Sequence, residues 1–559
     1  MKRQTILAGA GIMSAAAFLS RILGWVRDHQ IGHYWGSTPH TEAYWAAFMV
    51  PDLLYYLLAG GALGAAIIPT FSAYLRRNEE EQSWRAANTL VTLLGLLALA
   101  GIGLIIAFAP GLVTLAAAGF RQDVGKASES AMYVRILAPM VFFTVLSALF
   151  TGILQAHRHF TAPAFAWLVY NVGIIAGAVI GGQWFNAHGD VGGLRVLATG
   201  VVAGAALLVL VQLPAMYAAG FRYRPSLDLS DPGVREVLRL FVPYMAGLAF
   251  TQICLLWLPS FFGSYFPNGI TSLRYANRLV VLPLGLFGIA ISTAAFPTMA
   301  ERIDAGEVDA FRKLFSGSLR AVFVLSVPSA AALVVLAGPI LRVLWRTGRF
   351  DEAAVTAATF CLVYYAAALI GLSGLQIVNR AFYSLKDTVT PPLVGVSYTM
   401  LIVLLAFAWK STGLQYASIA LATSVGVTAG MIVMFELLRR RIGRIDGRAI
   451  ALSFLRVVAA SAVLAAVSLL VSRWLSGALG VPATHFVSTA PRIFGTPEGA
   501  ARAYSTLRVA IQVLASLAAG GVSYLVALQL LGAPELATLR DAIRSRGARE
   551  RHFPADERR

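Results

Sequence analysis

About fourteen apolar stretches, each of roughly 20 residues, follow one another along the 559-residue chain. That length lets an α-helix cross the hydrocarbon core of a bilayer, where a spanning segment must satisfy its own backbone hydrogen bonds. Charged residues make up 13% of the chain, against about 25% in soluble domains. The sequence therefore predicts an all-α, polytopic membrane protein. The predicted spans begin near Thr5, Thr41, Ala86, Ser128, Ala162, Val191, Val234, Ile270, Phe311, Glu352, Pro391, Gly413, Ala449 and Thr506.

The arginines concentrate in every second loop between the predicted spans. The loop at Arg76 and Arg77 and the run from Arg439 to Arg441 are basic, whereas the loop from His33 to His40 contains neither lysine nor arginine. This is the positive-inside pattern, and with an even number of spans it predicts that both termini are cytoplasmic. The net charge of +18 is therefore explained by membrane orientation, and no nucleic-acid partner is predicted. The basic tail, in contrast, could contact anionic membrane lipids.

The chain is internally duplicated. Three pairs of prolines recur in its two halves at a spacing of 228 or 229 residues: Pro69 and Pro297, Pro163 and Pro391, and Pro110 and Pro339. Two copies of a six-helix unit explain this register, and because six is even, both copies cross the membrane in the same sense. The predicted organisation is an N-terminal lobe (1–225), a second lobe (226–445), two added transmembrane helices (446–532) and a basic cytoplasmic tail (533–559).

Charged residues inside apolar segments are the main candidates for function. An arginine near the bilayer centre costs roughly 2.5–3.5 kcal/mol on insertion scales, so it is kept where it faces an interior and meets an anion. Arg21, Arg27 and Asp28 lie in the first span. Arg21 and Asp28 are seven residues apart and share one helical stripe. The alternative for Arg27 and Asp28 is that they end the helix and reach the headgroups.

A second charged group begins the second lobe. Arg274 and Arg278 are four residues apart and share one helix face, although Arg274 could simply end a loop. Facing arginines would form a cationic chamber suited to phosphates or carboxylates. Glu42 and Asp52 would support the chamber's charge when it is empty, or lie at the water boundary. Tyr55 and Tyr56 are candidate lining residues, or interfacial aromatics.

Patterns that indicate covalent chemistry are missing from the sequence. It contains no His/Cys cluster with metal-ligand spacing and no phosphate-binding G-x-x-x-x-G-K-[ST] loop. Its two cysteines, Cys254 and Cys361, lie in apolar runs and predict no disulfide framework. We therefore predict a protein that is not an enzyme and uses neither a metal nor a cofactor.

Several motifs resemble those of the MurJ/MviN lipid II flippases, a family of the MOP exporter superfamily. The most specific are the block from Ser20 to Asp28, reading SRILGWVRD, and the block from Tyr275 to Leu279, reading YANRL. They are accompanied by PDLL from Pro51 to Leu54 and by AFYSLKD from Ala381 to Asp387. The resemblance extends at least from Ser20 to about Pro392.

The resemblance implies two six-helix lobes and two C-terminal helices that form a groove for a long lipid tail. It implies a cargo of undecaprenyl diphosphate carrying a disaccharide-pentapeptide, moved from the cytoplasmic to the periplasmic leaflet of the bacterial inner membrane. It places diphosphate-binding arginines at Arg21, Arg27 and Arg278, and an acidic position at Glu42. It also allows association with the cell-wall synthesis machinery.

The chain departs from the family at one point, and this keeps other interpretations open. Tyr55 and Tyr56 stand where the family has paired arginines, and Gly60 replaces an acidic position. The alternatives are a flippase for another undecaprenyl-diphosphate glycan, a MATE-like drug or cation antiporter, and a membrane scaffold that transports nothing. An antiporter would require carboxylates, not arginines, facing its cavity. The sequence does not indicate a coupling ion, an oligomeric state or a resting orientation.

Overall fold

The structure is a computed structural model that describes residues 6–59, 62–186, 189–239, 241, 257–443, 445–478 and 497–533. Residues 6–10, 56–59, 62, 65 and 497–504 are described as backbone only. Within these ranges the chain forms helices joined by turns and loops and contains no β-strand.

The described helices of the first half are named α1 to α8. They span Ile6–Trp35, Pro39–Ala59, Ala62–Arg76, Glu80–Ala116, Val124–Leu137, Met140–Ala156, Thr161–Ile180 and Asp190–Ala218.

The described helices that follow are α9 to α19. They span Leu258–Gly263, Gly269–Pro283, Ala290–Asp304, Val308–Val335, Ala337–Trp345, Glu352–Ala366, Ala368–Ser384, Thr390–Trp409, Ala417–Ile442, Gly447–Ala478 and Pro497–Leu530. A π-helical turn at Leu284–Ile289 joins α10 to α11 into one long segment.

The predicted membrane-spanning character is confirmed. Among the described residues, ten helical segments are long and apolar enough to cross a membrane, and the bent pair α14 and α15 makes eleven. These eleven correspond to eleven of the predicted spans. The remaining three, predicted to begin near Thr5, Thr41 and Val234, include residues that lie outside the described ranges.

The internal duplication is visible in the helix boundaries. Helices α3 and α11 have 15 residues each, and α6 and α15 have 17 each. In both pairs the first residues are 228 positions apart. The turns after α6 and α15 also match, because Arg158 and Lys386 adopt left-handed backbone angles of φ 59° and 60°. The repeated sequence pattern therefore builds the same local backbone twice.

The chain packs into two compact units. Unit 1 comprises Met1–Ser272 and Trp345–Ala357, and unit 2 comprises Leu273–Leu344 and Ala358–Arg559. This division follows packing rather than the sequence repeat, since unit 1 includes residues 226–272 and 345–357 of the second copy. The lobe boundaries at residues 225 and 445 stay a prediction.

In unit 1, a glycine seam holds α7 against α8. A Cβ atom at Gly173 would lie 2.5 Å from the Cα of Gly204, and one at Gly177 would lie 2.8 Å from the Cα of Gly200. Small residues of this kind let two membrane helices approach backbone to backbone. The seam therefore fixes the position of α7, which carries much of the site described below.

In unit 2, polar contacts join α18 and α19 into a hairpin. The side chain of Gln512 donates to the carbonyl of Ser472 (2.9 Å), and the hydroxyl of Ser468 donates to the carbonyl of Ser516 (3.0 Å). The buried hydroxyl of Tyr524 donates to the carbonyl of Val324 on α12 (2.6 Å). The two C-terminal helices are thus attached to the rest of unit 2 by α12.

Candidate functional site

Arg27 lies in a polar cluster between α1 and α7. Its Nε and Nη2 atoms both contact Oδ1 of Asp28, at 2.9 and 2.8 Å, and its Nη1 atom donates to Oδ1 of Asn171 at 3.3 Å. Asp28 is only 4% exposed, and the Arg27 side chain is 15% exposed. The predicted charges of the first span therefore form a nearly buried ion pair inside the helix bundle, and they do not end the helix, because α1 continues to Trp35.

Asn171 completes this cluster. Its Nδ2 atom donates to the hydroxyl of Ser20 (3.2 Å) and to the carbonyl of Trp167 (2.9 Å). Sequence reasoning missed this residue, which is 144 positions from Arg27. The available indication was an amide inside the apolar stretch 161–180, since a buried amide requires hydrogen-bond partners.

Aromatic side chains surround the ion pair and bring two further predicted residues to it. The rings of Tyr55 and Trp167 meet edge to face with centroids 6.2 Å apart, and those of Trp167 and Tyr170 are 5.8 Å apart. The Tyr170 hydroxyl interacts electrostatically with Asp52, Tyr55 and Arg27. Asp52 and Tyr55 therefore belong to the same cluster as Arg27, whereas the side chain of Tyr56 lies outside the described residues.

Arg21 occupies a different face of α1. It is exposed, as are Phe18 and Trp25, which are 64% and 40% exposed. Arg21 makes no hydrogen bond or ion pair with the part of the chain that the structure describes. It is thus the arginine of the first span whose guanidinium remains available.

Glu42 lies at the start of α2. It is 1% exposed, contacts Nζ of Lys126 at 2.5 Å, and accepts the backbone N–H of Ile270 at 3.0 Å. Ile270 is the second residue of α10, so the carboxylate caps a helix N-terminus, where negative charge is favourable. Lys126 was not predicted, because the sequence gives no reason to pair it with a residue 84 positions away.

Further contacts join the two sequence copies at the same end of unit 1. The imidazole Nδ1 of His33 is 2.9 Å from the hydroxyl of Thr347, and the backbone N–H of Arg349 donates to the carbonyl of His33 at 2.9 Å. The Arg349 guanidinium pairs with Asp190. Gly36 allows the close approach, because a Cβ there would lie 2.2 Å from the Arg349 carbonyl oxygen.

One more hydrogen bond belongs to this contact region. The N–H of Gly119 donates to the hydroxyl of Ser264 at 2.9 Å. We refer to residues 33–42, 117–126, 264–270 and 347–349 together as the junction. Its members come from both copies of the duplicated sequence, yet all lie in unit 1.

The other predicted arginines lie on α10 within unit 2. Arg274 is half-buried and Arg278 is exposed, and both contact other residues. Their spacing of four residues puts them on one face of the helix. The predicted proximity of Arg278 to Arg27 stays a prediction.

A groove lies between α18 and α19 in unit 2. It is an open depression of about 670 Å³, lined by Val463 on α18 and by one face of α19 between Ala518 and Leu530. Apart from Ser523, the side chains that line it are apolar. The groove therefore has the chemistry to accept a hydrocarbon chain.

Comparison with known proteins identifies relatives over most of the chain. The sequence model of a family described as "Lipid II flippase MurJ" matches residues 31–488. A "Probable lipid II flippase MurJ" of Vibrio cholerae is 31% identical over 450 residues, covering 77% of this chain and 82% of the relative. A "Lipid II flippase MurJ" of Burkholderia cenocepacia is 28% identical over 436 residues, covering 77% and 83%.

Solved structures show the same fold. A structure titled "Lipid II flippase MurJ, inward closed conformation" matches with a TM-score of 0.73 at 20% identity, covering 95% of this chain and 99% of that one. An inward-facing multidrug-resistance MATE transporter of the MOP superfamily matches with a TM-score of 0.60 at 15% identity, covering 76% and 94%. At such identities the likeness establishes the architecture alone.

Proposed function

The chain belongs to the MurJ family of lipid II flippases, and from this membership we propose that it moves lipid II from the cytoplasmic to the periplasmic leaflet of the bacterial inner membrane. The cargo is undecaprenyl diphosphate that carries the peptidoglycan disaccharide-pentapeptide. The alternation of basic loops supports an orientation with both termini in the cytoplasm. Transport of this kind involves no covalent chemistry and needs no cofactor.

The observation that carries the proposal is the arginine held inside the helix bundle beside α7. Arg27 is nearly buried among apolar helices and is compensated by Asp28. A planar guanidinium presents paired donors that match phosphate oxygens, and in a site shielded from water such charge-assisted bonds are strong. Arg21 and Arg278 would supply further positive charge to the diphosphate, with Arg274 at the rim of the cavity.

The remaining cluster residues suit the uncharged part of the cargo. Asp52 supports the charge balance of the cavity, and Tyr55 with Tyr56 would line it with aromatic faces and hydroxyls. This surface offers hydrogen bonds and stacking to the sugars in place of the family's additional positive charge. The presence of Tyr55 and Tyr56, where the family has paired arginines, therefore favours contacts with the sugars over contacts with the diphosphate at this position.

The junction is the part that alternating access must open and close. In the proposed orientation it lies at the periplasmic face, where Glu42 caps α10 and His33 contacts Thr347. Release of the cargo to the periplasm would require these contacts to separate. Each is a single hydrogen bond or ion pair, and such contacts contribute about 0.5–3 kcal/mol each, which suits a reversible closure.

The groove between α18 and α19 would guide the tail. A polyprenyl chain gains about 0.8 kcal/mol for each CH₂ group that leaves water, so it remains in an apolar environment while the headgroup crosses. An inside-negative membrane potential favours outward movement of the anionic cargo by about 2.3 kcal/mol per charge per 100 mV. Association with cell-wall synthesis enzymes would deliver and remove the cargo.

Reconstitution tests this function. Purified protein in liposomes with fluorescent lipid II should expose the label in the opposite leaflet over time. We expect Arg21→Ala and Arg278→Ala to reduce the rate about tenfold or more, since each removes charge-assisted bonds worth about 1.5–3 kcal/mol. Lysine should restore little, because it lacks the planar fork.

Arg77→Ala is the matched control, because Arg77 is exposed in the turn between α3 and α4, and this variant should flip lipid II at the wild-type rate. Wild-type rates in both cavity variants would contradict the cationic-cavity mechanism. Transport of small organic cations without lipid II flipping would instead establish an antiporter.

A further inference from the structure

The guanidinium of Arg27 has two differently occupied edges. A guanidinium carries five N–H donors in a fixed plane. The edge formed by Nε and Nη2 is taken by Asp28 Oδ1, with both distances below 3 Å. The Nη1 atom reaches only the amide oxygen of Asn171, at 3.3 Å. Asp28 and Asn171 are the hydrogen-bond partners of Arg27 among the described residues, so Asn171 alone holds the outer edge formed by Nη1 and Nη2.

The orientation of the Asn171 amide is fixed independently of Arg27. A backbone carbonyl can only accept, so the amide nitrogen must face the Trp167 carbonyl, which it contacts at 2.9 Å. The same nitrogen contacts the Ser20 hydroxyl at 3.2 Å. The amide oxygen therefore has to point at Arg27, and the side chain is held there when the guanidinium bond is lost.

The two partners differ in how readily a phosphate oxygen can replace them. The bonds to Asp28 are charge-assisted on both sides and short, whereas the bond to Asn171 is longer and its acceptor is neutral. An anionic phosphate oxygen gains by replacing a neutral amide oxygen and gains little by replacing a carboxylate. It can occupy the outer edge of the guanidinium while the Asp28 pair remains intact, which avoids separating a buried carboxylate from its guanidinium.

We propose that Asn171 is the exchangeable partner of Arg27: the substrate's phosphate takes the Nη1–Nη2 edge in place of the Asn171 amide oxygen, and Asp28 keeps the Nε edge throughout. Asn171 is then a positioning residue that holds the guanidinium ready while the cavity is empty and releases it to the diphosphate. This inference rests on the proposed function. It adds that Asn171 controls when the Arg27 guanidinium can bind the diphosphate.

Two substitutions at Asn171 should act in opposite directions. Asn171→Asp places a charged acceptor on the Nη1 side, which the phosphate must displace, so the Kd for undecaprenyl diphosphate should rise about tenfold or more. Asn171→Ala removes the competing acceptor, so the Kd should stay at the wild-type value or fall. A residue with a merely structural role would weaken binding in both variants.

Asn171→Ala keeps the test valid if Asn171→Asp fails to fold. A Kd for undecaprenyl diphosphate at or below the wild-type value supports the exchange of Asn171 for phosphate. A Kd that rises about tenfold in a folded Asn171→Ala variant contradicts it, because the loss of a competing acceptor should not weaken binding.

The measurement is equilibrium binding of undecaprenyl diphosphate to the full-length protein in detergent, with melting temperatures confirming that each variant is folded. Inorganic pyrophosphate as a second ligand should follow the same order of variants, since it presents the same oxygens. Wild-type binding that Asn171→Asp leaves unchanged would overturn this inference alone. Failure of the wild-type protein to bind undecaprenyl diphosphate would overturn the proposed function as well.

Discussion

Among single residues, Asp387 shows how a turn between two helices is stabilised. It follows α15 and accepts the backbone N–H groups of Val389 (3.0 Å) and Thr390 (2.9 Å), and it also pairs with Arg441. Burial by itself would raise the pKa of this carboxyl. The hydroxyl and N–H of Thr390, the N–H of Val389 and the guanidinium of Arg441 outweigh it, and together they lower the pKa of Asp387 from 3.8 to about 2.

This shift predicts a pH-dependent contribution to stability. A carboxyl whose pKa is lower in the folded state stabilises the fold above its unfolded pKa of 3.8, and the contribution is lost as the pH falls towards about 2. Asp387→Asn should therefore lower the stability at pH 7 by about 2 kcal/mol, and the difference from the wild-type protein should shrink below pH 4. Thermal unfolding in detergent across this pH range measures it; a difference that stays constant down to pH 3 would contradict this account.

The residues of the site were predictable to different degrees. Arg27 and Asp28 are evident in the sequence because charges inside an apolar segment carry a large cost. Asn171 and Lys126 were not, because a neutral amide costs less and a loop-end lysine is ordinary. The role of Glu42, as charge support for the cavity or at the water boundary, stays a prediction. Its partners, Lys126 and the N–H of Ile270, could not be predicted, because the distance along the chain between such partners cannot be deduced from spacing.

Among the helices, the seam between α7 and α8 is the most demanding packing contact. At Gly177 an added Cβ would lie 2.8 Å from the Cα of Gly200, whereas at Gly103 on α4 no atom lies within 4 Å. Both are helical glycines, so the helix propensity gained by alanine is the same, about 0.5–1 kcal/mol. Comparing alanine at the two positions therefore isolates the loss of stability caused by the clash between α7 and α8.

We expect Gly177→Ala to destabilise the protein by about 1–3 kcal/mol, because backbone cannot move aside as a flexible side chain can. Gly103→Ala should leave stability unchanged or raise it. Melting temperatures of the two purified variants decide the matter. Equal melting temperatures would show that α7 is not held by this seam.

The helices also show that a repeated proline gives a repeated kink. In the first copy the helix kinks at Phe108, just before Pro110, where φ is −102° and ψ is 16°. In the second copy Leu336, between α12 and α13 and just before Pro339, adopts almost the same angles, φ −103° and ψ 14°. Proline removes one backbone hydrogen bond and clashes with the preceding turn. The repeated prolines in the sequence therefore predict a break in the helix at equivalent places in both copies.

For the whole molecule, the groove between α18 and α19 connects the added helices to transport. Ala518 is exposed and lines the groove, whereas Leu514, one turn away, is 67% exposed and lies outside it. We expect Ala518→Trp to fill the groove and slow flipping of lipid II, since the undecaprenyl tail loses its apolar path. Leu514→Trp should flip at the wild-type rate.

An analogue of lipid II with a farnesyl tail provides the internal comparison. Its short chain needs little of the groove, so Ala518→Trp should flip it as the wild-type protein does. Both measurements use the same liposomes and label. Equal slowing of the long-tailed and short-tailed substrates would show that the substitution damages the protein generally and that the groove does not guide the tail.

The contact between Glu42 and Ile270 bears on how this duplicated gene can evolve. The two residues occupy the same position in the two copies, 228 residues apart, yet one supplies a carboxylate and the other a helix N-terminus. An ancestral homodimer of the first half would bring two Glu42 carboxylates together, and like charges in a buried site repel. The halves have thus become complementary and no longer interchangeable, so neither copy could be replaced by a second version of the other.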